Sequence, residues 1–114
     1  MKKIEAIIRS SKFEEVKESL HEVGVNFFTF YEVKGYGHQK GKNISYRGAI
    51  YDVGYIGRIK LEIFISDETA EEALNAIKSA AYTGEKGDGL IMVTKVDQII
   101  NIRTGLQNEE SINK

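Results

Sequence analysis

A strand–helix–strand pattern that occurs twice constrains the fold of this 114-residue chain more than any other feature. Apolar residues alternating with polar ones are typical of a half-buried strand, and apolar residues three or four apart are typical of a helix. The first half has a strand at 4–8, the helical stripe Phe13, Val16, Leu20 and Val23, and a β-prone run at 27–36. The second half has a strand at 59–65, the stripe Ala70, Ala73, Leu74, Ile77 and Ala81, and a strand at 90–93.

This order of elements, β-α-β-β-α-β, predicts an α+β domain of the ferredoxin-like, split βαβ type. Helix ends support the boundaries, because small hydroxyl or carboxylate residues cap helix starts and glycine often follows helix ends. The predicted caps are Ser10 or Ser11 and then Gly24 for the first helix, and Ser66 or Asp67 and then Gly84 for the second. We therefore expect one domain over residues 1–114.

Two segments fall outside this pattern. Residues 37–55 carry no stable periodicity, and the sequence predicts a long loop there, between the second and third strands. Loops of that length in compact domains are usually functional. Residues 106–114 are polar, which predicts a flexible tail, and 99–102 form a short extended piece before it.

Composition excludes several classes of function. The formal net charge is −1, so the chain offers no general electrostatic basis for binding nucleic acid. Cysteine is absent, which excludes disulfides and thiolate metal sites and favours a cytoplasmic location. The chain has no apolar run near the ~20 residues of a membrane span. Only His21 and His38 are present, and neither has a visible catalytic partner, so the sequence predicts a protein that is not an enzyme.

Three motifs carry chemical information. Residues 29–51 bring a β-prone run to Gly35, Gly37 and Gly41 and end at Tyr51. Residues 83–89, Thr-Gly-Glu-Lys-Gly-Asp-Gly, can converge backbone N–H groups on an anion, because glycine permits close approach and positive φ. A tight turn into the last strand is the alternative reading of that second motif. The third motif is Ile-Arg-Thr-Gly at 102–105.

Together these motifs resemble the PII family of nitrogen-signalling proteins, from Met1 to about Gly105. The resemblance implies a ferredoxin-like homotrimer with a T-loop at 37–55, a B-loop at 83–90 that wraps nucleotide phosphates, and a C-terminal nucleotide-contacting turn. It also implies ATP and ADP binding in clefts between subunits. The implied contacts are Thr29, Gly35, Gly37, His38, Gln39, Glu62, Phe64, Lys86, Gly87, Asp88, Gly89 and Arg103.

The chain departs from the family pattern at three residues, Leu90, Asn101 and Arg58. Leu90 and Asn101 stand where the family has basic residues, which predicts weaker binding of the triphosphate in particular. Gln39 resembles the residue that completes Mg²⁺ coordination when MgATP and 2-oxoglutarate bind together. Gln39, Lys40, Gly41 and Arg58 are the residues implied for 2-oxoglutarate, with Arg58 in place of a lysine. These departures favour weak or absent 2-oxoglutarate binding.

The resemblance implies regulation of a target protein through the T-loop, commonly a membrane transporter or a nitrogen-metabolism protein. The chain would then reach a membrane only through such a partner. Tyr51 matches a tyrosine that some bacterial members modify, although Tyr46, Ile50 and Tyr51 could instead form a hydrophobic tip that contacts the target. Two alternatives stay open: a divergent regulator that has lost 2-oxoglutarate sensing and serves a non-ammonium transporter, and a small metabolic enzyme on the same fold.

Overall fold

The computed structural model describes the backbone of residues 1–36, 43–46, 49–52 and 55–112, and the side chains of 1–36 and 57–112. The strands are β1 (Lys2–Arg9), β2 (Thr29–Tyr36), β3 (Asn43–Tyr46), β4 (Ala49–Asp52), β5 (Tyr55–Ile65) and β6 (Gly89–Lys95). The helices are α1 (Phe13–Glu22), α2 (Asp67–Ala81) and the short α3 (Glu109–Ile112). One 3-10 turn, Ser10–Lys12, joins β1 to α1.

Four strands form an antiparallel sheet in the order β2-β5-β1-β6, and a core of apolar residues joins it to α1 and α2. The register pairs Ile4 with Ile63 and Ala6 with Leu61, so these four side chains share the face under the helices. This arrangement confirms the predicted α+β, ferredoxin-like fold. The opposite face, which we call the open face, carries the alternate residues of each strand.

The core lies between the sheet and the two helices. Ile4, Leu61 and Ile63 are almost completely buried, and each contributes about 1.5–3 kcal/mol through burial of its side chain. Val16 and Leu20 meet them from α1, as the sequence predicts. The α2 stripe matches the prediction at Ala70, Ala73, Ile77 and Ala81, while Leu74 is only partly buried and Ala76 is buried.

The helix starts differ in part from the prediction. Neither Ser10 nor Ser11 caps α1, because the 3-10 turn takes up both residues and the N-cap position falls on Lys12. Ser66 occupies the N-cap position of α2, and its carbonyl accepts hydrogen bonds from the backbone N–H groups of Thr69 and Ala70. Gly24 has φ +88° just after α1, the left-handed conformation predicted for the end of that helix.

The segment predicted as a loop, 37–55, contains two strands. β3 and β4 pair with each other in a separate antiparallel sheet, with Asn43 opposite Asp52. β5 begins at Tyr55, four residues before the predicted start at Ile59. Both short strands contain β-favouring residue types, isoleucine and tyrosine, which periodicity over so few residues does not reveal.

The segment predicted as a flexible tail folds back onto the residues before it. The backbone N–H of Asn101 donates to the Leu106 carbonyl at 2.9 Å, and that of Asn108 donates to the Ile99 carbonyl at 2.8 Å. Ser111 in α3 is only 5% exposed. Polar side chains hold this structure through hydrogen bonds with the backbone. Because it has no apolar stripe, hydrophobic periodicity in the sequence does not predict it.

Candidate functional site

The predicted contact residues lie in two groups at opposite ends of β5. Arg58 and Phe64 both point to the open face, since they are an even number of residues apart. At 3.3 Å per residue they are about 20 Å apart along the strand. Arg58 lies beside the B-loop, whereas Glu62 and Phe64 line a cavity together with Thr29. One chain therefore does not bring its B-loop to its own cavity.

Asp88 fixes the shape of the B-loop. Its carboxylate accepts hydrogen bonds from the backbone N–H groups of Thr83 at 2.8 Å and Gly84 at 3.0 Å, and from the Thr83 hydroxyl. Arg9 Nε donates to the same carboxylate at 3.1 Å. The hydroxyl and N–H of Thr83 hold the pKa of Asp88 well below its usual range, with smaller contributions from Gly84 and Arg9. Asp88 is therefore ionised throughout the physiological range and anchors the loop.

Arg9 is a member of this site that the sequence did not reveal. Besides contacting Asp88, its Nη2 donates to the Lys86 carbonyl at 2.8 Å, so one guanidinium binds two parts of the B-loop. Arg9 ends β1 and stands directly opposite Arg58 of β5. The ferredoxin-like order places β1 between β5 and β6, so the end of β1 must lie close to the loop that enters β6. The strand order of the predicted fold therefore indicates that Arg9 lies close to the B-loop.

Arg9 and Arg58 meet at Gly87. A Cβ atom on Gly87 would lie 3.0 Å from Arg58 Nη2 and 3.3 Å from Arg9 Nη2. Partial burial, with the like charge of Arg9, lowers the pKa of Arg58, although a guanidinium still keeps its proton. Arg9 is paired with Asp88, so these two guanidiniums and one carboxylate leave a net positive charge beside Gly87, which suits a phosphate or carboxylate group.

Position 89 requires a glycine because the neighbouring strand approaches it closely. With φ +112°, a Cβ atom there would lie only 1.8 Å from the Ile7 carbonyl oxygen of the neighbouring strand. No side chain fits that space without moving β1 or β6. The tight-turn interpretation of this motif therefore accounts for Gly89 by itself, while Gly87 and Asp88 are explained by their contacts with the arginines.

The cavity at the other end of β5 has a volume of about 880 Å³. The predicted residues Thr29, Glu62 and Phe64 line it, together with parts of the 24–28 segment and of the C-terminal residues. Glu62 accepts a hydrogen bond from the Tyr31 hydroxyl at 2.9 Å. None of the described residues that line the cavity is a lysine, arginine or histidine. The cavity thus suits an uncharged ring with polar edges better than an anion.

The turn at 101–105 borders this cavity. The side-chain oxygen of Asn101 accepts hydrogen bonds from the backbone N–H groups of Arg103 at 3.0 Å and Thr104 at 3.1 Å. Its amide nitrogen donates to the Ser111 carbonyl at 3.0 Å. Asn101, identified in the sequence as a lost basic residue, therefore holds the turn that presents the exposed Arg103.

Other predicted residues lie elsewhere. Gly35 pairs with Ile56 in the sheet, and Lys86 is exposed on the B-loop. Leu90 lies opposite Ile7 and is 67% exposed. Tyr51 belongs to β4, but its side chain is outside the described residues. The remaining predicted residues, also outside them, are Gly37, His38, Gln39, Lys40 and Gly41, so the Mg²⁺ site and most of the 2-oxoglutarate site stay predictions.

Two further observations concern metal ions and membrane-spanning helices. Within the part of the chain that the structure describes, no group of three or more histidine, cysteine, aspartate or glutamate residues could hold a metal ion. Among the described helices, none combines the length and the apolar character needed to cross a membrane.

Comparison with known proteins places this geometry in a family. The model of the family described as "Nitrogen regulatory protein P-II" matches residues 1–106. The chain is 49% identical over 112 residues to the nitrogen regulatory protein P-II of Azospirillum brasilense, covering 98% of this chain and all of that one. It is 51% identical over 105 residues to the protein of the same name from Rhizobium meliloti strain 1021, covering 92% of this chain and 94% of that one.

A third relative, from Pasteurella multocida strain Pm70, has the same name and is 47% identical over 112 residues, covering 98% of this chain and all of that one. The shared name describes a regulatory protein, which agrees with the prediction of a regulator rather than an enzyme. Matches of this extent, on a ferredoxin-like fold, show that the chain belongs to the nitrogen regulatory protein P-II family.

Proposed function

We propose that this protein binds ATP and ADP in clefts between the subunits of a homotrimer and regulates a target protein through residues 37–55. The observation that carries the proposal is the division of the open face into two unlike ends. One end has the B-loop with Arg9 and Arg58, and the other has a cavity whose described lining residues include no lysine, arginine or histidine. An adenine nucleotide has the same two parts, a polyphosphate and an uncharged ring system.

The separation of these ends supports binding between copies of the chain. With about 20 Å between Arg58 and Phe64, the base and the phosphates of one nucleotide cannot use both ends of a single copy. A closed ring of copies can place the B-loop of one against the cavity of the next, and closed rings are a common form of homo-oligomer. β2 and β6 are the two edges of the sheet, and each leaves backbone groups available for such contacts.

Regulation would follow from coupling between this cleft and the segment that contains β3 and β4. β5 links the two, because it runs from Tyr55, next to that segment, through Arg58 to the cavity. A nucleotide can shift the conformation of the segment only by the difference in its affinity for the alternative states. The target would be a membrane transporter or a nitrogen-metabolism protein.

2-Oxoglutarate is a second candidate ligand. Arg58 and Arg9 beside Gly87 could bind a carboxylate there. Leu90, exposed on the open face, supplies no charge to hold a triphosphate in the pose that such a ligand would need. We propose that 2-oxoglutarate binds weakly or not at all, and that it depends on Mg²⁺ and ATP if it binds.

Isothermal titration calorimetry with ATP and ADP tests the proposal, and Arg103→Ala is the decisive variant. Loss of a charge-assisted contact to phosphate should weaken ATP binding about tenfold or more. Lys78→Ala is the matched control, because it also removes one exposed cation but lies in the last turn of α2. Light scattering should return about three times the chain mass of 12.8 kDa.

Two results would contradict the proposal. The first is absence of heat and of any thermal shift with both nucleotides at millimolar concentration. The second is a monomer mass at micromolar protein. Equal ATP affinity in the parent, Arg103→Ala and Lys78→Ala would remove Arg103 from the site and leave nucleotide binding itself intact.

A further inference from the structure

Phe27 borders the cavity with a phenyl ring that packs against no other ring among the described residues. It lines the cavity and is 80% exposed, the highest value among the five phenylalanines of the chain. Phe13, Phe28 and Phe30 instead pack against one another, with ring centroids 4.6 to 6.4 Å apart. A single exposed apolar residue needs no explanation, but one at the edge of a cavity offers its surface to a ligand.

The backbone on either side of Phe27 is held in place. The N–H of Val25 donates to the Leu20 carbonyl at 2.9 Å, and the Val25 side chain is buried. Phe28 is partly buried and packs against the core. The ring of Phe27 is therefore attached to an anchored segment but makes no ring contact of its own, so it can turn onto a ligand without breaking one.

Phe64 lines the same cavity from β5, with one face of its ring turned toward Phe27. Thr29 pairs with Glu62, and the antiparallel register continued by two residues places position 27 beside Phe64 on the open face. Lys3 Nζ lies over the Phe64 ring, 5.8 Å from its centroid, and comes from β1 on the other side of β5. The ring face opposite Lys3 is therefore on the side of β2 and Phe27.

Two aromatic rings that line one cavity without touching each other leave room for a flat ring between them. Resting on the proposed function, we infer that Phe27 and Phe64 hold the adenine ring between them as an aromatic clamp, in which Phe27 determines specificity for a planar base. Stacking on an aromatic side chain favours any nucleobase, because every base has a flat π face. It requires no cation, and the described lining residues include no lysine, arginine or histidine.

Isothermal titration calorimetry of ATP with Phe27→Tyr and Phe27→Leu tests the clamp. Tyrosine keeps a flat ring of similar size, so its ATP Kd should stay close to that of the parent. Leucine keeps apolar surface but has no ring, so its Kd should rise about fivefold through the lost stacking. The comparison separates stacking from burial of apolar surface, which leucine preserves.

Phe30→Leu is the matched control. It also removes an exposed phenyl ring, but Phe30 lines the groove beside α1 and not the cavity. Its ATP Kd should match that of the parent. Equal Kd values in Phe27→Leu and Phe27→Tyr, or equal losses in Phe27→Leu and Phe30→Leu, would overturn this inference while nucleotide binding stands.

Proton NMR of ADP supplies an independent readout. The ring currents of stacked phenyl groups should move the adenine H2 and H8 signals upfield when the parent or Phe27→Tyr is added, and the shift should be smaller with Phe27→Leu. A parent chain that binds ADP without any upfield shift would overturn the inference alone. Absence of binding heat with both ATP and ADP would overturn the proposed function and the inference with it.

Discussion

The B-loop and the C-terminal residues 106–112, which we call the strap, border the two ends of the open face, and they are held in place by different chemistry. An ionised carboxylate and a guanidinium fix the B-loop, through Asp88 and Arg9. Neutral amide groups fix the strap, through Asn101 and Asn108. The first end is therefore sensitive to pH and salt, and the second is sensitive mainly to the loss of individual hydrogen bonds.

The contrast also matches what each end could bind. Charged residues beside Gly87 both shape the B-loop and create a position for an anion, so binding and stability cannot be separated easily there. At the cavity, Asn101 both holds the strap and lines the space, whereas Thr29 and Phe64 line it and are not among the described residues that hold the strap. Substitutions at Thr29 or Phe64 should therefore change affinity without loosening the strap, whereas stability and affinity should change together at the B-loop.

The largest effect is expected from Gly89→Ala at the B-loop end. Its new methyl group would meet the Ile7 carbonyl, so β1 and β6 must separate, and we expect a loss of about 3 kcal/mol or more in unfolding free energy. Gly57→Ala is the control, because no described atom lies within 4 Å of the Cβ position there and φ is not positive. Urea unfolding curves for both variants measure the difference. Similar midpoints would show that the close approach at Gly89 is not a constraint.

A smaller effect is expected from Asn101→Ala at the strap. The change leaves the N–H groups of Arg103 and Thr104 and the Ser111 carbonyl without their partner, which costs about 1–3 kcal/mol. Hydrogen exchange should rise at Asn108 and Ser111 and stay constant in the central strand β1. Asn75→Ala, on the exposed side of α2, should leave strap exchange unchanged and should not lower the unfolding free energy, because alanine favours the helix. Unchanged strap exchange in Asn101→Ala would show that the backbone bonds are sufficient.

The smallest effect is expected in the acid response of the B-loop. Because the folded-state pKa of Asp88 lies below its unfolded value of about 3.9, its charge stabilises the fold above that value, and the contribution is lost as pH falls below it. The difference in Tm between the parent and Asp88→Asn should therefore be larger at pH ~6 than at pH ~3. Asp97→Asn is the control, as an exposed carboxylate beyond β6. A constant difference would mean that the charge of Asp88 is not what holds the loop.

Sequence reasoning predicted the parts of the fold that depend on periodic burial. Ile4, Leu61 and Ile63 follow the two-residue period of a strand, and the α2 alanines follow the helical period, so all were identifiable. Arg9 was not, because its role depends on the strand order that places it opposite Arg58. The sequence identified Asn101 only as a position where the family's basic residue is absent. Its three hydrogen bonds could not be predicted, because they depend on where the strap folds.

The register of β1 has a consequence for how the protein is made. β1 is synthesised before both of its partners in the sheet, β5 and β6, with which Lys2 pairs at Ile65 and Lys95. The central strand thus emerges from the ribosome well before either neighbour exists, and contacts of such long sequence separation form slowly. Its apolar residues Ile4 and Ile8 must stay unpaired for most of translation, a period in which nascent chains are prone to aggregate or to bind chaperones.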